Sequence, residues 1–250
     1  MILLYLLSDI SLFCQQESNN TESEFLPDRS DITQALNAKT FQVQAGISFL
    51  QTEFDSSNSK QFALPLLIGR YGITDNFGFQ VSSEFDLNKI YVNEAIVNQE
   101  YQISYILMGL LFQPTQHKRI IFFDNIAFLF DYLIPLISSI NNYSEIDVVF
   151  TTNLSERFSL EYSLGYSYQK NSGSNTNLSI QFEAYLTKSI NCAFNYINTT
   201  YRENDIKTRQ NSLAFEIDFL TDSAYQIDFT YTYGLSNQSS YVNGVFIYTF

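Results

Sequence analysis

The sequence predicts an all-β fold, a transmembrane antiparallel up-and-down β-barrel of about twelve strands. Three observations predict it. Apolar and polar residues alternate with a period of two, charges avoid the apolar positions, and short connections alternate with long ones. Successive side chains of a strand point to opposite faces, so a barrel wall in a membrane presents lipid-facing and lumen-facing residues in turn.

The alternation is strictest between Phe158 and Gln169, where apolar residues occupy every even position and polar or small residues every odd position. The fourth and fifth segments alternate weakly, so their registers stay open. Twelve strands are predicted: Thr40 to Phe54, Lys60 to Tyr71, Phe77 to Asp86, Tyr101 to Phe112, Arg119 to Ile134, Glu145 to Leu154, Phe158 to Gln169, Leu178 to Thr187, Ile190 to Tyr201, Leu213 to Phe219, Tyr225 to Tyr233 and Tyr241 to Phe250.

Eight acidic residues occupy the polar positions of their strands, and no acid occupies the apolar positions of those same strands. A charge facing lipid at mid-depth costs roughly 2 to 4 kcal/mol for Arg or Lys and less for Asp or Glu, so misplaced charges would exhaust a typical stability. We expect the acids to line the lumen and to favour cations, or alternatively to pair with Lys and Arg or be merely solvated. They are Glu84, Asp86, Asp147, Glu161, Glu183, Glu216, Asp218 and Asp228.

The connections fall into two sets that alternate strictly along the chain, as periplasmic turns and extracellular loops do. A soluble sandwich, the alternative fold, requires no such order and would carry more Lys on its outer face. The short set is Gly72 to Asn76, Pro114 to Lys118, Ser155 to Glu156, Lys188 to Ser189 and Thr221 to Ala224. The long set is Thr52 to Ser59, Leu87 to Gln99, Pro135 to Ser144, Lys170 to Asn177, Arg202 to Thr208 and Ser236 to Ser240.

The two chain ends predict export and barrel assembly. Residues 1–16 form a predicted signal segment, although Asp9 interrupts it and no basic residue precedes its apolar part. Lipidation of Cys14 is the alternative, which the bulky Phe13 disfavours. Residues 17–39 are a predicted periplasmic lead-in and residues 40–250 the outer-membrane barrel. Aromatic residues of one parity close the chain and predict a signal read by the barrel assembly machinery: Phe246, Tyr248 and Phe250.

Composition and motifs argue against several other functions. A formal charge of −13 disfavours nucleic acid as a partner, because phosphate binding needs clustered Lys and Arg. Two cysteines supply neither a disulfide framework nor a four-ligand zinc site, and no cofactor is predicted. Clustered acids such as Asp218, Asp222 and Asp228 admit calcium, but no Asp-x-Asp-x-Asp-Gly loop occurs and the sequence predicts no metal site.

One histidine, His117, keeps open the alternative of an outer-membrane lipid hydrolase with a Ser and His pair. It lies in the predicted turn Gln113 to Lys118, where no strand-borne serine is expected beside it. A serine nucleophile needs a base within hydrogen-bond reach. The sequence therefore predicts no catalytic residue and no enzyme.

Short motifs resemble one family of barrels. Leu26 to Gln34, LPDRSDITQ, precedes a strand that begins Phe41 to Gly46, FQVQAG, and Arg70 to Asp75 and Asn153 to Phe158 resemble periplasmic turns. The chain thus resembles the outer-membrane transporter-like β-barrel family grouped with proteins of the phenol-degradation meta pathway. Ser30 stands where that family suggests proline, and Glu156 where it suggests aspartate. The resemblance implies a barrel for uptake of hydrophobic or aromatic compounds.

The sequence as a whole predicts a bacterial outer-membrane barrel that gives small solutes passage or uptake through an acidic lumen. A plugged barrel with a structural or binding role is the alternative, because inward side chains or the lead-in can fill a lumen of this size. The expected partners are outer-membrane lipids, the barrel assembly machinery and an unidentified small solute.

Overall fold

The computed structural model describes residues 36–54, 57–92, 95–114, 123–136, 142–169, 173–203, 206–220, 225–236 and 239–250. Twelve antiparallel strands follow one another around a closed barrel, and β1 pairs with β12 to complete it. They are β1 (Phe41–Phe54), β2 (Ser57–Thr74), β3 (Phe77–Val92), β4 (Ala95–Phe112), β5 (Asn125–Pro135), β6 (Tyr143–Ser155), β7 (Phe158–Gln169), β8 (Gly173–Tyr185), β9 (Ile190–Glu203), β10 (Ile206–Leu220), β11 (Tyr225–Gly234) and β12 (Ser240–Thr249).

The side chains alternate between a buried inner face and an exposed outer face. In β5, Leu129 and Leu133 are buried while their neighbours Phe130 and Ile134 are exposed. The same pattern places large apolar side chains on the outside of the strands all around the barrel. An outer surface of this kind is suited to lipid, because water-exposed apolar area would be costly. The predicted all-β transmembrane barrel of about twelve strands is confirmed.

The end of the barrel where β1 begins and β12 finishes, called here the proximal end, carries several pairs of neighbouring aromatic rings. Phe41 and Phe250 join the two closing strands, with ring centroids 5.9 Å apart. Offset and edge contacts of this kind stabilise neighbouring strands beyond area burial alone. Further pairs are Phe112 with Phe128, Phe158 with Phe182 and Tyr225 with Tyr248.

The opposite end, called here the distal end, differs from the prediction. The predicted loop Leu87 to Gln99 is instead mostly paired strand, because β3 continues to Val92 and β4 starts at Ala95. The other predicted distal loops between β1 and β2, β7 and β8, and β9 and β10 shorten in the same way. Backbone pairing needs no apolar side chain, so polar sequence continues a hairpin once the strands are aligned.

The connection between β4 and β5 is described only in part, because residues 115–122 lie outside the described residues. Most of the predicted turn Pro114 to Lys118 and the start of the strand predicted from Arg119 fall there, and β5 is described from Asn125. Short and long connections do not alternate strictly, because only two residues separate β1 from β2 and β3 from β4 at the distal end. The fifth segment alternates only weakly between apolar and polar residues, so its sequence did not mark where strand pairing starts.

The segment that enters the barrel is fixed on the turn between β2 and β3. Lys39 adopts a left-handed backbone with φ of 65°, and its amide donates to the Gly72 carbonyl at 2.7 Å. The Ala38 amide donates to Asp75 Oδ1 at 2.8 Å. A Cβ at Gly72 would overlap the Asn37 carbonyl, so glycine is required for this close approach.

A proline lies within β2 at a break in strand register. The pairing of β2 with β3 shifts between Ala63 and Leu66, on either side of Pro65, and the pairing with β1 shifts between Gly46 and Ser48. Proline has no amide hydrogen to donate, so it is accommodated where the ladder is interrupted.

No helix among the described residues is long and apolar enough to cross a membrane.

Candidate functional site in the barrel lumen

The lumen has an apolar sector on β4 and β5. From Tyr105 to Leu111 on β4 and from Ala127 to Leu133 on β5, the inward side chains are apolar except for Asp131 and Gly109. Tyr105 and Leu133 have 0% of their surface exposed, so water does not reach them. The buried apolar residues of this sector are Tyr105, Leu107, Leu111, Ala127, Leu129 and Leu133.

Both faces of these two strands are mostly apolar, which explains why the sequence left their registers open; the strand pairing now gives them. Outward-facing Met108, Leu110 and Phe112 alternate with inward-facing Leu107 and Leu111. A strand with apolar residues on both faces shows no polar parity in sequence. The weak alternation in the sequence of these strands is therefore caused by the apolar part of the lumen.

The carboxylates lie on the inner face, mostly on the strands from β6 to β11. Asp147, Glu216, Asp218 and Asp228 are buried. Glu161 and Glu183 are half-buried on the same inner parity of β7 and β8. Glu84 and Asp86 belong to β3, but their side chains lie outside the part of the structure that is described.

Sequence reasoning missed two inward acids, Asp131 and Glu145, which are 1% and 2% exposed. Glu145 shares the parity of Asp147, and that signal was available in the sequence. Asp131 lies on a strand whose two faces are both apolar, so its direction required the register. The eight inward acids whose side chains are described are Asp131, Glu145, Asp147, Glu161, Glu183, Glu216, Asp218 and Asp228.

Hydrogen bonds fix several of these carboxylates. Gln80 Nε2 on β3 donates to Asp131 Oδ1 on β5 at 3.0 Å, over the intervening strand β4. The Tyr143 hydroxyl donates to Glu145 Oε2 at 2.6 Å, and Asn177 Nδ2 donates to Glu145 Oε1 at 3.3 Å. Bonds to an ionised acceptor are stronger than neutral ones, so these donors hold the acids against the wall.

A second network joins β7, β8, β9 and β10 near the proximal end. The Ser159 hydroxyl donates to Glu183 Oε2 at 2.6 Å. Asn191 Nδ2 donates to Glu183 Oε1 and also to Asp218 Oδ2, the latter at 3.1 Å. One amide therefore bridges two carboxylates on neighbouring strands.

Positive charge on the inner wall is scarce among the described side chains. Arg70 on β2 is 5% exposed, and its Nη1 donates to Gln42 Oε1 at 3.0 Å. The exposed bases Arg202, Lys207 and Arg209 lie near the distal end on the outer parity of β9 and β10. The described inner wall is thus strongly acidic, which attracts cations electrostatically.

Three of the acids come together in the wall. One oxygen of each of Glu216, Asp218 and Asp228 lies within 4.8 Å of the others, and all three residues are buried. Asp218 and Asp228 are directly opposite each other on β10 and β11. Carboxylate oxygens of this number and spacing can hold a hard cation.

Other predicted features are placed only in part. Phe246 and Phe250 point outward and are exposed, and Tyr248 shares their parity. Recognition of these residues by assembly machinery stays a prediction. His117 and the signal segment lie outside the described residues, as does the lead-in up to residue 35.

The fold is shared with solved outer-membrane barrels. The COG4313 outer membrane channel from Pseudomonas putida F1 has a TM-score of 0.69 and 9% sequence identity, covering 90% of this chain and 100% of that one. The translocator domain of the autotransporter NalP from Neisseria meningitidis has a TM-score of 0.58 and 10% identity, covering 88% and 91%. The KdgM porin has a TM-score of 0.52 and 9% identity, covering 82% and 99%.

At these identities the likeness shows a common fold. No protein-family model matches the chain, and no curated protein sequence matches it at a significant level.

Proposed function

We propose that the chain is a bacterial outer-membrane channel that passes small solutes through a lumen with an apolar side and an acidic side. One observation carries the proposal. In the order of twelve strands, β4 and β5 lie diametrically opposite β10 and β11. The apolar sector therefore faces Glu216, Asp218 and Asp228 across the lumen.

Such a lumen suits solutes with an apolar body and a polar or cationic end. Apolar side chains lower the free energy of a ring or alkyl group that leaves water. Acid on the opposite wall favours cations and amines over anions. The fold shared with an outer membrane channel and a porin supports a transport role.

We assign the solute class to hydrophobic or aromatic compounds, in line with the resemblance to the transporter-like family of the phenol-degradation meta pathway. The turn residues that carry this resemblance also have structural roles here. Gly72 accommodates the entry segment and Asp75 accepts a bond from it. The apolar sector would give such compounds a surface to follow once its buried side chains move aside.

A binding barrel without passage is a second candidate, and one observation favours it. Inward residues at mid-barrel have almost no accessible surface, including Tyr105 at 0%, Leu129 at 2% and Asp131 at 1%. Side chains that line a wide water-filled pore would be wet. Passage through this barrel would require these side chains to move aside.

The experiment is the reversal potential of the refolded protein in a planar bilayer under a potassium chloride gradient. A cation-selective current is expected from the acidic lumen. An anion-selective current would contradict the role of the carboxylates. Silence from protein whose folding is verified by heat-dependent gel migration would reject the channel and leave the binding barrel.

Solute preference is tested separately by swelling of liposomes that contain the barrel. Benzylamine, benzyl alcohol and benzoate share one ring and differ in charge. We expect the rate of entry to fall in that order. Equal entry of all three would show that the wall does not select by charge.

A further inference from the structure

The carboxylate cluster of Glu216, Asp218 and Asp228 is built into the barrel wall by strand register. Glu216 and Asp218 are neighbours on the inner face of β10, and Asp228 of β11 pairs directly with Asp218. Their exposures are 1%, 4% and 1%. Like charges directly opposite each other destabilise a strand pair, and a bound cation would offset that cost.

Buried amides beside the cluster supply a second and independent observation. Asn243 of β12 is 1% exposed, and neither its amide nitrogen nor its amide oxygen has a hydrogen-bond partner. Thr230 separates it from Glu216, but it points inward and lies diagonally beside Asp228, which pairs with Val245 two residues along β12. A buried amide without partners is costly unless a ligand satisfies it.

On the β9 side of the cluster, two more buried amide oxygens lack a hydrogen-bond partner. Asn195 of β9 is 3% exposed, lies diagonally beside Glu216 and has an unpartnered Oδ1. Asn191 donates its amide nitrogen to Asp218, which leaves its own buried Oδ1 without a partner. Buried carboxylates and asparagine amides thus occupy neighbouring inner-face positions on β9, β10, β11 and β12.

We infer that this wall holds one calcium ion, bound by Glu216, Asp218 and Asp228 with amide oxygens from the flanking asparagines. Calcium takes six to eight oxygen ligands at about 2.4 Å, so ligands on opposite sides of the ion are about 4.8 Å apart. The carboxylate oxygens lie within 4.8 Å of one another, which allows them to share one ion without movement of the strands.

Magnesium fits this site less well. It needs a near-octahedral shell at about 2.1 Å and usually keeps several waters. The three acids and their asparagine neighbours are almost inaccessible to water. A dry site formed by side chains on four strands favours the larger, more tolerant ion. The ion would also link β9 to β12, next to the strand pair that closes the barrel.

The test is titration calorimetry with calcium chloride on the full chain, folded in detergent and stripped with EDTA. One calcium per chain is expected, with at least tenfold weaker binding of magnesium. Glu216→Gln and Asp228→Asn are expected to weaken calcium binding at least tenfold. Asp147→Asn is the matched control, because Asp147 is a buried inward acid outside the cluster.

Heat-dependent gel migration verifies that each variant is folded. If a cluster variant does not fold, the wild-type protein decides: calcium must raise its unfolding temperature and EDTA must lower it. The site is rejected by no binding to folded wild type, by equal binding of magnesium, or by an equal loss in Asp147→Asn. None of these readouts depends on solute passage, so the channel can fail while the calcium site stands.

Discussion

Gly109 on β4 lies directly opposite Asp131 on β5, and the Asp131 carboxylate occupies the space that a Cβ at Gly109 would fill. The same relationship recurs between Gly165 on β7 and Asp147 on β6. In both pairs the missing side chain lets an inward acid lie flat against the neighbouring strand. The absence of a side chain at these two glycines therefore sets where the carboxylates lie in the lumen.

Gly109→Ala is expected to destabilise the barrel by about 1 to 3 kcal/mol, because the new methyl group would overlap Asp131 Oδ1 and the Gln80 side chain. Gly69→Ala is the matched control. Its Cβ would contact the Phe41 ring at 3.7 Å, an ordinary distance. Unfolding in urea measures both, and equal stability of the two variants would show that Asp131 is free to move away.

Leu129→Ala is expected to cost about 2 to 5 kcal/mol, the range for a leucine removed from a packed interior. Leu129 is 2% exposed although it points into the lumen. Leu186→Ala, at a position that is 59% exposed in a proximal turn, is the control with little expected effect. The measurement is the free energy of unfolding in urea. A negligible cost at Leu129 would indicate that the lumen at this level is filled with water.

Leu164→Lys is expected to destabilise the barrel by roughly 2 to 4 kcal/mol in lipid vesicles, because Leu164 points outward near the middle of β7. Tyr168→Lys, on the same face near the distal rim, should cost about 0 to 1 kcal/mol. The comparison uses unfolding from the vesicles. Equal costs at the two depths would contradict a membrane facing this side of β7.

Glu145→Gln combined with Asp147→Asn is expected to lower the preference for potassium over chloride. A unit charge about 8 Å from a permeating ion in water contributes about 0.5 kcal/mol, or roughly a factor of two per charge. Reversal potentials of the wild-type and double variant measure the change. Glu156→Gln in the exposed turn after β6 is the control, and an equal shift there would implicate surface charge instead of the lumen.

The sequence was most informative where the two faces of a strand differ. β7 begins at Phe158 and ends at Gln169, and β11 begins at Tyr225, as the alternation predicted. The inward placement of Asp147, Glu216 and Asp228 also follows from parity alone. A polar lumen and a lipid exterior impose opposite polarity on successive residues of a strand, so this pattern can be recognised in a single strand.

Features that depend on pairing between strands could not be predicted in this way. The cluster of Glu216 with Asp218 and Asp228 exists because one register sets Asp218 opposite Asp228. The sequence suggested Asp222 as the third acid, and residues 221–224 lie outside the described part of the chain. The placement of Gly109 opposite Asp131 and of Gly165 opposite Asp147 likewise requires two strands to be aligned.

The apolar inner face of β4 has a consequence for how the barrel closes. Shifting this strand by one residue would exchange Leu107 and Leu111 for Met108 and Leu110, with almost no change in the polarity of either face. Hydrophobicity therefore does not reject the misaligned pairing, which in other strands would expose acids to lipid. The fit of Gly109 against Asp131 favours the correct alignment of β4. We therefore expect misfolded barrels to have β4 paired with its neighbours one residue out of register, and this is the folding intermediate to look for.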